Sequence, residues 1–238
     1  MAIEVFQRQE HKFLLDVLSM QSIQAELSSH MAPDEYNREQ ETYRIANLYY
    51  DTADDVLIRR SMQKPVYKEK LRLRAYGIPA LDDNVFIEVK KKYNGIVYKR
   101  RSRIRLRDAY SFIKSGVMPD EDPAQNRQVL REIAAMLSLY DLQPKVYIAY
   151  ERRAWFDPDD HCLRVSLDTG IRCRRNDLRL ESGHYGIKLL PEQVWLMEIK
   201  SAGCIPFWLA RALSDHGVYS SSFSKYGTEY HHQKGICP

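Results

Sequence analysis

The sequence predicts an α+β fold, an antiparallel β-barrel with helices packed on its outside. Three observations predict it. Segments with period-two alternation are long and outnumber the helical ones. No stretch rich in Pro, Gly or Ser divides the 238 residues, so residues 1–238 read as a single domain. Two strands carry cations at every second position, giving each one charged face. Hydrophobic residues make up 44% of the chain, enough to build a core and more than disordered chains carry.

Residues 1–12 read as a strand, with Ile3 and Val5 on one face and Arg8, Glu10 and Lys12 on the other. Residues 14–31 read as an amphipathic helix, with Leu14, Leu18, Ile23 and Leu27 at helical spacing. The alternation in 41–50 suits a strand, and Asp51, Thr52 and Asp54 supply turn and cap chemistry for a short helix over 54–62. Three long strands follow at 66–76, 84–92 and 97–107, joined by turns at Asp82-Asp83-Asn84 and Asn94-Gly95. A helix over 108–115 is stopped by Gly116, and an acidic loop runs from Pro119 to Pro123. A longer helix over 124–140 places Val129, Leu130, Ile133, Met136 and Leu137 on one side. Strands are expected at 145–156, 162–168, 171–180 and 193–200. Pro206 opens a helix over 207–215, which Gly217 ends. FSKYG (223–227) comes next, and the tail from Tyr230 reads as loose.

Several function classes are excluded at this level. No apolar run approaches the roughly 20 residues that cross a bilayer, and the N-terminus lacks the apolar segment of a secretory signal. Cys162, Cys173, Cys204 and Cys237 lie far apart without CxxC spacing, which fits reduced thiols in a cytoplasmic protein. Neither GxxxxGK nor GxGxxG occurs, so a P-loop or a dinucleotide fold is not expected.

The net charge of +4 is modest, and its distribution is more informative. One face of 66–76 carries Lys68, Lys70, Arg72 and Arg74, and one face of 97–107 carries Lys99, Arg101, Arg103, Arg105 and Arg107. Tyr150 and Arg152 share a face with Val146 and Ile148, and Arg164, Ser166 and Asp168 share another. A single such face is usually just solvated. Successive cations at period two on several strands repel one another unless an anion lies between them. Glu10/Lys12, Glu88/Lys90 and Glu198/Lys200 each add a carboxylate beside an ammonium on one strand face. These pairs are either cross-strand ion pairs or parts of a shared polar interior, in which carboxylates hold a hard divalent metal and cations hold phosphate. So polar an interior would enclose a ligand channel, and a polyanion would complete it.

The ordered motifs RQEHKF (8–13), LYYDT (48–52), KLRLRAYG (70–77), FIEVKKK (86–92), YKRRSR (98–103), YERRAW (150–155), LRVSLD (163–168), LMEIK (196–200) and FSKYG (223–227) carry a resemblance. The chain resembles the polyphosphate polymerase domain of the vacuolar transporter chaperone complex, within the triphosphate tunnel metalloenzyme superfamily. The resemblance implies an eight-stranded antiparallel β-barrel tunnel lined by Lys and Arg. It implies phosphate contacts from Lys12, Arg72, Arg74, Lys90, Lys99, Arg152, Arg164, Lys200 and Lys225, with hydroxyl contacts from Tyr150 and Ser224. It implies Mn²⁺ or Mg²⁺ on Glu198, with Glu10 and Glu88 as further candidates. Lys68 and Lys70 have no role in that pattern.

The activity implied is transfer of the γ-phosphoryl group of ATP to a polyphosphate chain. Arg72, Arg74, Lys90, Arg152 and Arg164 would act on the transferred group. Lys12, Lys99, Tyr150, Lys200, Ser224 and Lys225 would bind substrate. Hydrolysis of inorganic or nucleoside triphosphates is the alternative within the superfamily, and a non-catalytic polyanion-binding module is the alternative outside it. No sequence-specific nucleic acid contact is expected. The chain looks like a stand-alone cytoplasmic relative, for which coupling to transport would need a separate membrane protein partner.

Overall fold

The computed structural model describes residues 9–37, 41–160 and 162–235. The start of the first expected strand (1–8) and Cys237 lie outside the described residues. In chain order the elements are β1 (Gln9–Leu15), α1 (Val17–His30), β2 (Ala32–Pro33), β3 (Tyr43–Asp51), α2 (Val56–Met62), β4 (Tyr67–Tyr76), β5 (Asn84–Tyr93) and β6 (Ile96–Arg105). There follow α3 (Leu106–Ser115), α4 (Arg127–Leu139), β7 (Gln143–Phe156), β8 (Arg164–Arg174), β9 (Ile187–Lys188), β10 (Trp195–Ser201), α5 (Phe207–Asp215) and α6 (Lys225–Gln233). A 3₁₀ turn at Glu35–Asn37 precedes β3.

The strands form one antiparallel sheet in the order β1-β10-β8-β7-β3-β4-β5-β6, with β2 added to β7 and β9 to β8. The expected eight-strand path is present, but among the described residues hydrogen bonds do not close it into a barrel: β1 and β6 are its two ends. The outer edge of β1 is already occupied. Phe13 bridges to Ser220, and the Ser221 N–H donates to the Lys12 carbonyl at 2.7 Å. The sheet is nevertheless strongly curled. A flat sheet would hold β1 and β5, six strand spacings apart, at roughly 29 Å. Instead Lys90 of β5 reaches Glu10 of β1 at 3.9 Å across the concave face.

Helices cover the convex face in two groups. Leu48, Leu71, Leu73, Ile87, Val89 and Ile104 pack against Phe112 of α3 and against Leu130 and Ile133 of α4. Phe13, Val165, Leu167, Met197 and Ile199 pack against Ile23 and Leu27 of α1 and Leu209 of α5. A third cluster plugs one end of the concave face, where Tyr49, Val146 and Ile148 meet Ile58 of α2 and Tyr226 and Tyr230 of α6. The concave face elsewhere keeps its charges. The alternation along each strand therefore directs apolar side chains to the helices and cations inward.

Local chemistry explains the ends of the elements. Asp16 caps α1 by accepting from the Ser19 N–H at 2.7 Å, and Asn126 caps α4 through the Val129 N–H at 3.2 Å. Asp51 accepts from the N–H groups of Leu57 and Ile58, and Thr52 from that of Val56. This tethers α2 to the end of β3, as LYYDT suggested. Asn94 and Gly95 both take positive φ in the two-residue turn between β5 and β6.

Four readings of the sequence are corrected. Leu14 lies within β1 rather than opening a helix, and both it and Leu18 are exposed; α1 buries Met20, Ile23 and Leu27 instead. In place of the expected strands 162–168 and 171–180 there is one strand, β8, because Gly170 (φ +59°) lets the chain pass an irregularity in register without stopping, and 175–180 are not strand. Arg107 lies in α3, where it pairs with Asp82, and so does not continue the β6 row. The tail is helical through Gln233, since Glu229 and Tyr230 are buried against the sheet.

Candidate active site

Cross-strand pairing sets the concave face in rows. Glu10 faces Lys200, which faces Arg164. Lys12 faces Glu198, and Arg152 faces Asp168. On the other half of the sheet Tyr49, Arg72, Glu88 and Arg101 follow one another across four strands, and Lys70, Lys90 and Lys99 form the adjacent row. Directly paired residues share a face, so the cations of these rows converge on one groove.

Two ion networks organise that groove. In the first, Asp168, with no exposed surface, accepts from Arg152 Nε at 2.6 Å and Nη2 at 2.8 Å, and from Lys225 Nζ at 2.6 Å. Lys225 also reaches Glu198 at 3.2 Å. Lys12 lies 3.7 Å from Glu198 and 3.2 Å from Glu10, and Lys200 lies 3.6 Å from Glu198. In the second, Glu88 meets Arg72 at 2.7 Å, Lys99 at 2.9 Å and Arg74 at 3.8 Å. Arg72 also donates to the Tyr49 hydroxyl at 3.0 Å, and Arg74 donates to Asn47 Oδ1 at 3.0 Å and to the Tyr150 hydroxyl at 3.5 Å.

FSKYG is the hinge between α6 and the groove. The Phe223 carbonyl accepts from Lys12 Nζ at 3.0 Å. Ser224 is the N-cap of α6 and accepts from the Gly227 N–H, so its hydroxyl holds the turn that aims Lys225 inward. The Tyr226 hydroxyl donates to Asp51 Oδ2 at 3.2 Å. A Cβ on Gly227 would sit 3.1 Å from Met62 Sδ and 3.2 Å from Ser224 Oγ, so glycine lets α6 lie close on α2.

Among the described residues of the two networks and Lys70 there are nine cations (Lys12, Lys70, Arg72, Arg74, Lys90, Lys99, Arg152, Lys200, Lys225) and four carboxylates (Glu10, Glu88, Asp168, Glu198). That excess of positive charge is reflected in the acidities. Burial alone would raise the Glu10 carboxyl, but Lys200, Lys90 and Lys12 override it and hold it at about 2. Burial likewise opposes ionisation of Glu198, yet Lys225, Lys200, Lys12 and Arg152 keep it well below the usual range. Burial, then Lys90, Lys68, Lys12 and Arg72, push Lys70 down to about 7. Lys99 is also pushed to about 7, by burial and by Arg74 and Arg72, despite Glu88.

These lysines give a pH prediction. With both lysines pushed to about 7, Lys70 and Lys99 of the ligand-free protein are expected to give up protons as pH rises above 7, and a bound polyanion is expected to restore them. Binding of inorganic tripolyphosphate is therefore expected to take up protons and to weaken as pH rises from 7 to 9. Calorimetry in buffers of different ionisation enthalpy measures the uptake. Arg at both positions stays charged, so K70R/K99R should flatten the pH dependence; an unchanged slope would contradict the assignment.

The sequence-predicted residues are distributed as follows. Lys12, Arg72, Arg74, Lys90, Lys99, Tyr150, Arg152, Lys200, Lys225, Glu10, Glu88 and Glu198 lie in the networks just described. Arg164 sits at one end of the groove and pairs with Asp34 of the segment before β3. Asp168 and Lys70 were on the faces read from alternation but not among the site candidates. Asp168 holds two of the candidate cations, and Lys70 makes no ion pair among the described residues, its Nζ lying 5.8 Å from the centre of the Tyr226 ring. Burial is the signal that singles them out, and alternation cannot report it.

Among the described residues no three Asp, Glu, His or Cys side chains converge as a complete metal cage. Glu198 and Glu10 both contact Lys12 Nζ and both are held ionised. Two hard oxygen donors of this kind fit Mg²⁺ or Mn²⁺ that arrives with phosphate ligands, since such ions take one or two carboxylates and fill the rest with phosphate and water. Glu88 gives its charge to three cations.

A protein from Hippeastrum, described as an adenylyl cyclase type with a dominant triphosphatase activity, shares the fold at a TM-score of 0.56 and 18% identity, over 96% of both chains. A Bacillus halodurans structure assigned as an adenylate cyclase matches at 0.53 and 13% identity, over 93% of this chain and 96% of that one. Vacuolar transporter chaperone complex subunit 4 of Trypanosoma cruzi is 21% identical over 76% of this chain, and that of Schizosaccharomyces pombe 26% identical over 72%. The chain spans about a quarter of the length of these two relatives, 27% of each. A sequence profile of the VTC domain matches residues 7–233, and the chain therefore belongs to the VTC domain family.

Proposed function

We propose that the groove binds the phosphates of ATP and of polyphosphate and transfers the γ-phosphoryl group of ATP to the chain end, releasing ADP. The observation that carries this reading is the excess of nine cations, eight of them buried or half-buried, over four carboxylates on one concave face. Cations so crowded are stable together when an anion of many charges lies among them. A linear phosphate chain has that charge and that shape. The subunit 4 relatives, named for a vacuolar transporter chaperone complex, support the same reading.

The attacking atom is a phosphate oxygen that is already anionic, so no strong general base is required. Catalysis is then positioning plus charge stabilisation. Arg72, Arg74 and Arg152 present planar guanidinium groups to the oxygens of the transferred group, with Lys90 and Arg164 nearer the rim. Lys12, Lys99, Tyr150, Lys200 and Lys225 orient the phosphates on either side, and Ser224 sets the turn that aims Lys225. Glu198 and Glu10 would hold Mn²⁺ or Mg²⁺, which when bound neutralises phosphate oxygens. Residues 1–238 act as one functional unit in this account. No described helix is long and apolar enough to cross a membrane. Coupling to transport would thus draw on a separate membrane partner or on sequence beyond this chain.

The second reading, triphosphate hydrolysis, is favoured by the Hippeastrum neighbour. Stoichiometry separates the two. With ATP, a polyphosphate primer and Mn²⁺, transfer releases ADP without free phosphate, whereas hydrolysis releases the two in equal amounts. ADP accompanied by an equal amount of phosphate would move the assignment to a triphosphatase.

A further inference from the structure

At one rim of the groove the charged rows end in aromatic rings. Tyr43 follows from the start of β3, Tyr76 from the end of β4, and Tyr36 from the 3₁₀ turn. Asn37 fixes that turn to β7 by accepting from the Ala154 N–H at 2.9 Å. The rings of Tyr36 and Tyr76 are nearly parallel with centres 5.1 Å apart, and Tyr43 lies 5.4 Å from Tyr36. They line an open cleft of about 560 Å³ together with Thr42, Arg44 and Glu151. Tyr36 is 46% exposed, so one of its faces is free to stack.

We propose that this rim is a nucleobase platform: Tyr36, backed by Tyr76 and Tyr43, stacks the base of the nucleoside triphosphate whose phosphates enter the groove. The inference rests on the function proposed above and adds where the nucleoside end lies. Three observations support it. The rings continue the rows of the groove, because Tyr76 is two residues beyond Arg74 on the same face of β4 and Tyr43 pairs directly with Arg152, while Arg44 and Glu151 bound the cleft from the other face at the rim. The reach is right: Arg72 to Tyr76 is four residues of strand, about 13 Å, similar to the span from γ-phosphate to base in an extended nucleotide. Finally, the two charged groups of the cleft, Arg44 and Glu151, are paired with each other at 3.2 Å and do not offer a fixed pattern to a base edge. Stacking without edge reading holds any base by its π-face. The platform therefore gives affinity for a nucleoside end without strict choice of base.

The test compares binding of adenylyl imidodiphosphate, which keeps the base, with inorganic tripolyphosphate, which lacks it, by calorimetry on the full chain. Tyr36→Ala is expected to weaken adenylyl imidodiphosphate about 5- to 100-fold and to leave tripolyphosphate unchanged. Tyr36→Trp should restore nucleotide binding. Equal loss for both ligands, or no loss for either, overturns the platform. Wild-type protein that makes chains from ATP while Tyr36→Ala binds the nucleotide normally would overturn the platform alone. Wild-type protein that binds tripolyphosphate but not the nucleotide would overturn both the platform and ATP as the donor.

Discussion

Replacing Asp168 with alanine is expected to destabilise the ligand-free protein by about 3–5 kcal/mol. Asp168 has no exposed surface, and it holds Arg152 through two hydrogen bonds and Lys225 through a third. Its removal leaves two buried cations facing each other, beside the unpaired remainder of the groove. Asp168→Asn keeps the shape but not the charge and should recover only part of the loss. Urea denaturation measures the difference. Added tripolyphosphate should narrow it, because a bound polyanion supplies the missing negative charge. A loss below about 1 kcal/mol, the scale of an exposed ion pair, would mean that the network does not organise the fold. Acid should act in the same direction. Arg152 and Lys225 hold Asp168 below its ordinary value against burial, and Glu198 is lowered by its own cations. A depressed carboxyl contributes stability above its unfolded pKa, and that stability is lost as pH falls through the folded value. The network should therefore weaken only below about pH 4.

Arg72→Ala is expected to lower phosphoryl transfer about 10²- to 10³-fold, the usual effect of removing one preorganised donor. Arg72 is held in place by Glu88 and Tyr49 before substrate arrives, so its guanidinium needs no reorganisation. Lysine cannot reproduce the planar fork, and Arg72→Lys should recover only part of the rate. Arg100 is the internal control. It precedes Arg101 on β6 but points to the convex face, where it pairs with Glu132 of α4. Arg100→Ala should leave ADP release within about twofold of wild type, since this half-buried pair lies on the convex face, away from the groove. Comparable losses at both positions would show that positive charge in general, and not the groove, governs the rate.

Much of this arrangement was legible in the strands. Alternation assigned Lys70, Arg72 and Arg74 to one face of β4, and Lys99, Arg101 and Arg103 to one face of β6, because a strand has only two faces. The pairing of Glu198 with Lys12 and of Glu88 with Arg72 was not legible, since register depends on contacts between distant segments. Closure was misjudged for a related reason: the segment at Ser220 and Ser221 occupies the edge of β1, and nothing local in those serines announces it. Burial escaped as well. Asp168 reads like any polar residue at a strand position, and its weight comes from the two cations brought to it by β7 and α6. Just before the tail, Glu229 carries no local sign of burial, yet it is buried in a two-pronged bond with Arg175 at 2.7 and 2.9 Å. The rim tyrosines carry no local signal, since only the fold brings residues 36, 43 and 76 together.

The most direct measurement is a gel of the products formed from γ-labelled ATP and Mn²⁺ by the purified chain. The account predicts a ladder of labelled phosphate chains that is lost in Arg72→Ala and in Glu198→Ala and retained in Arg100→Ala. Free labelled phosphate with no ladder, or a ladder that survives both groove substitutions, would contradict it.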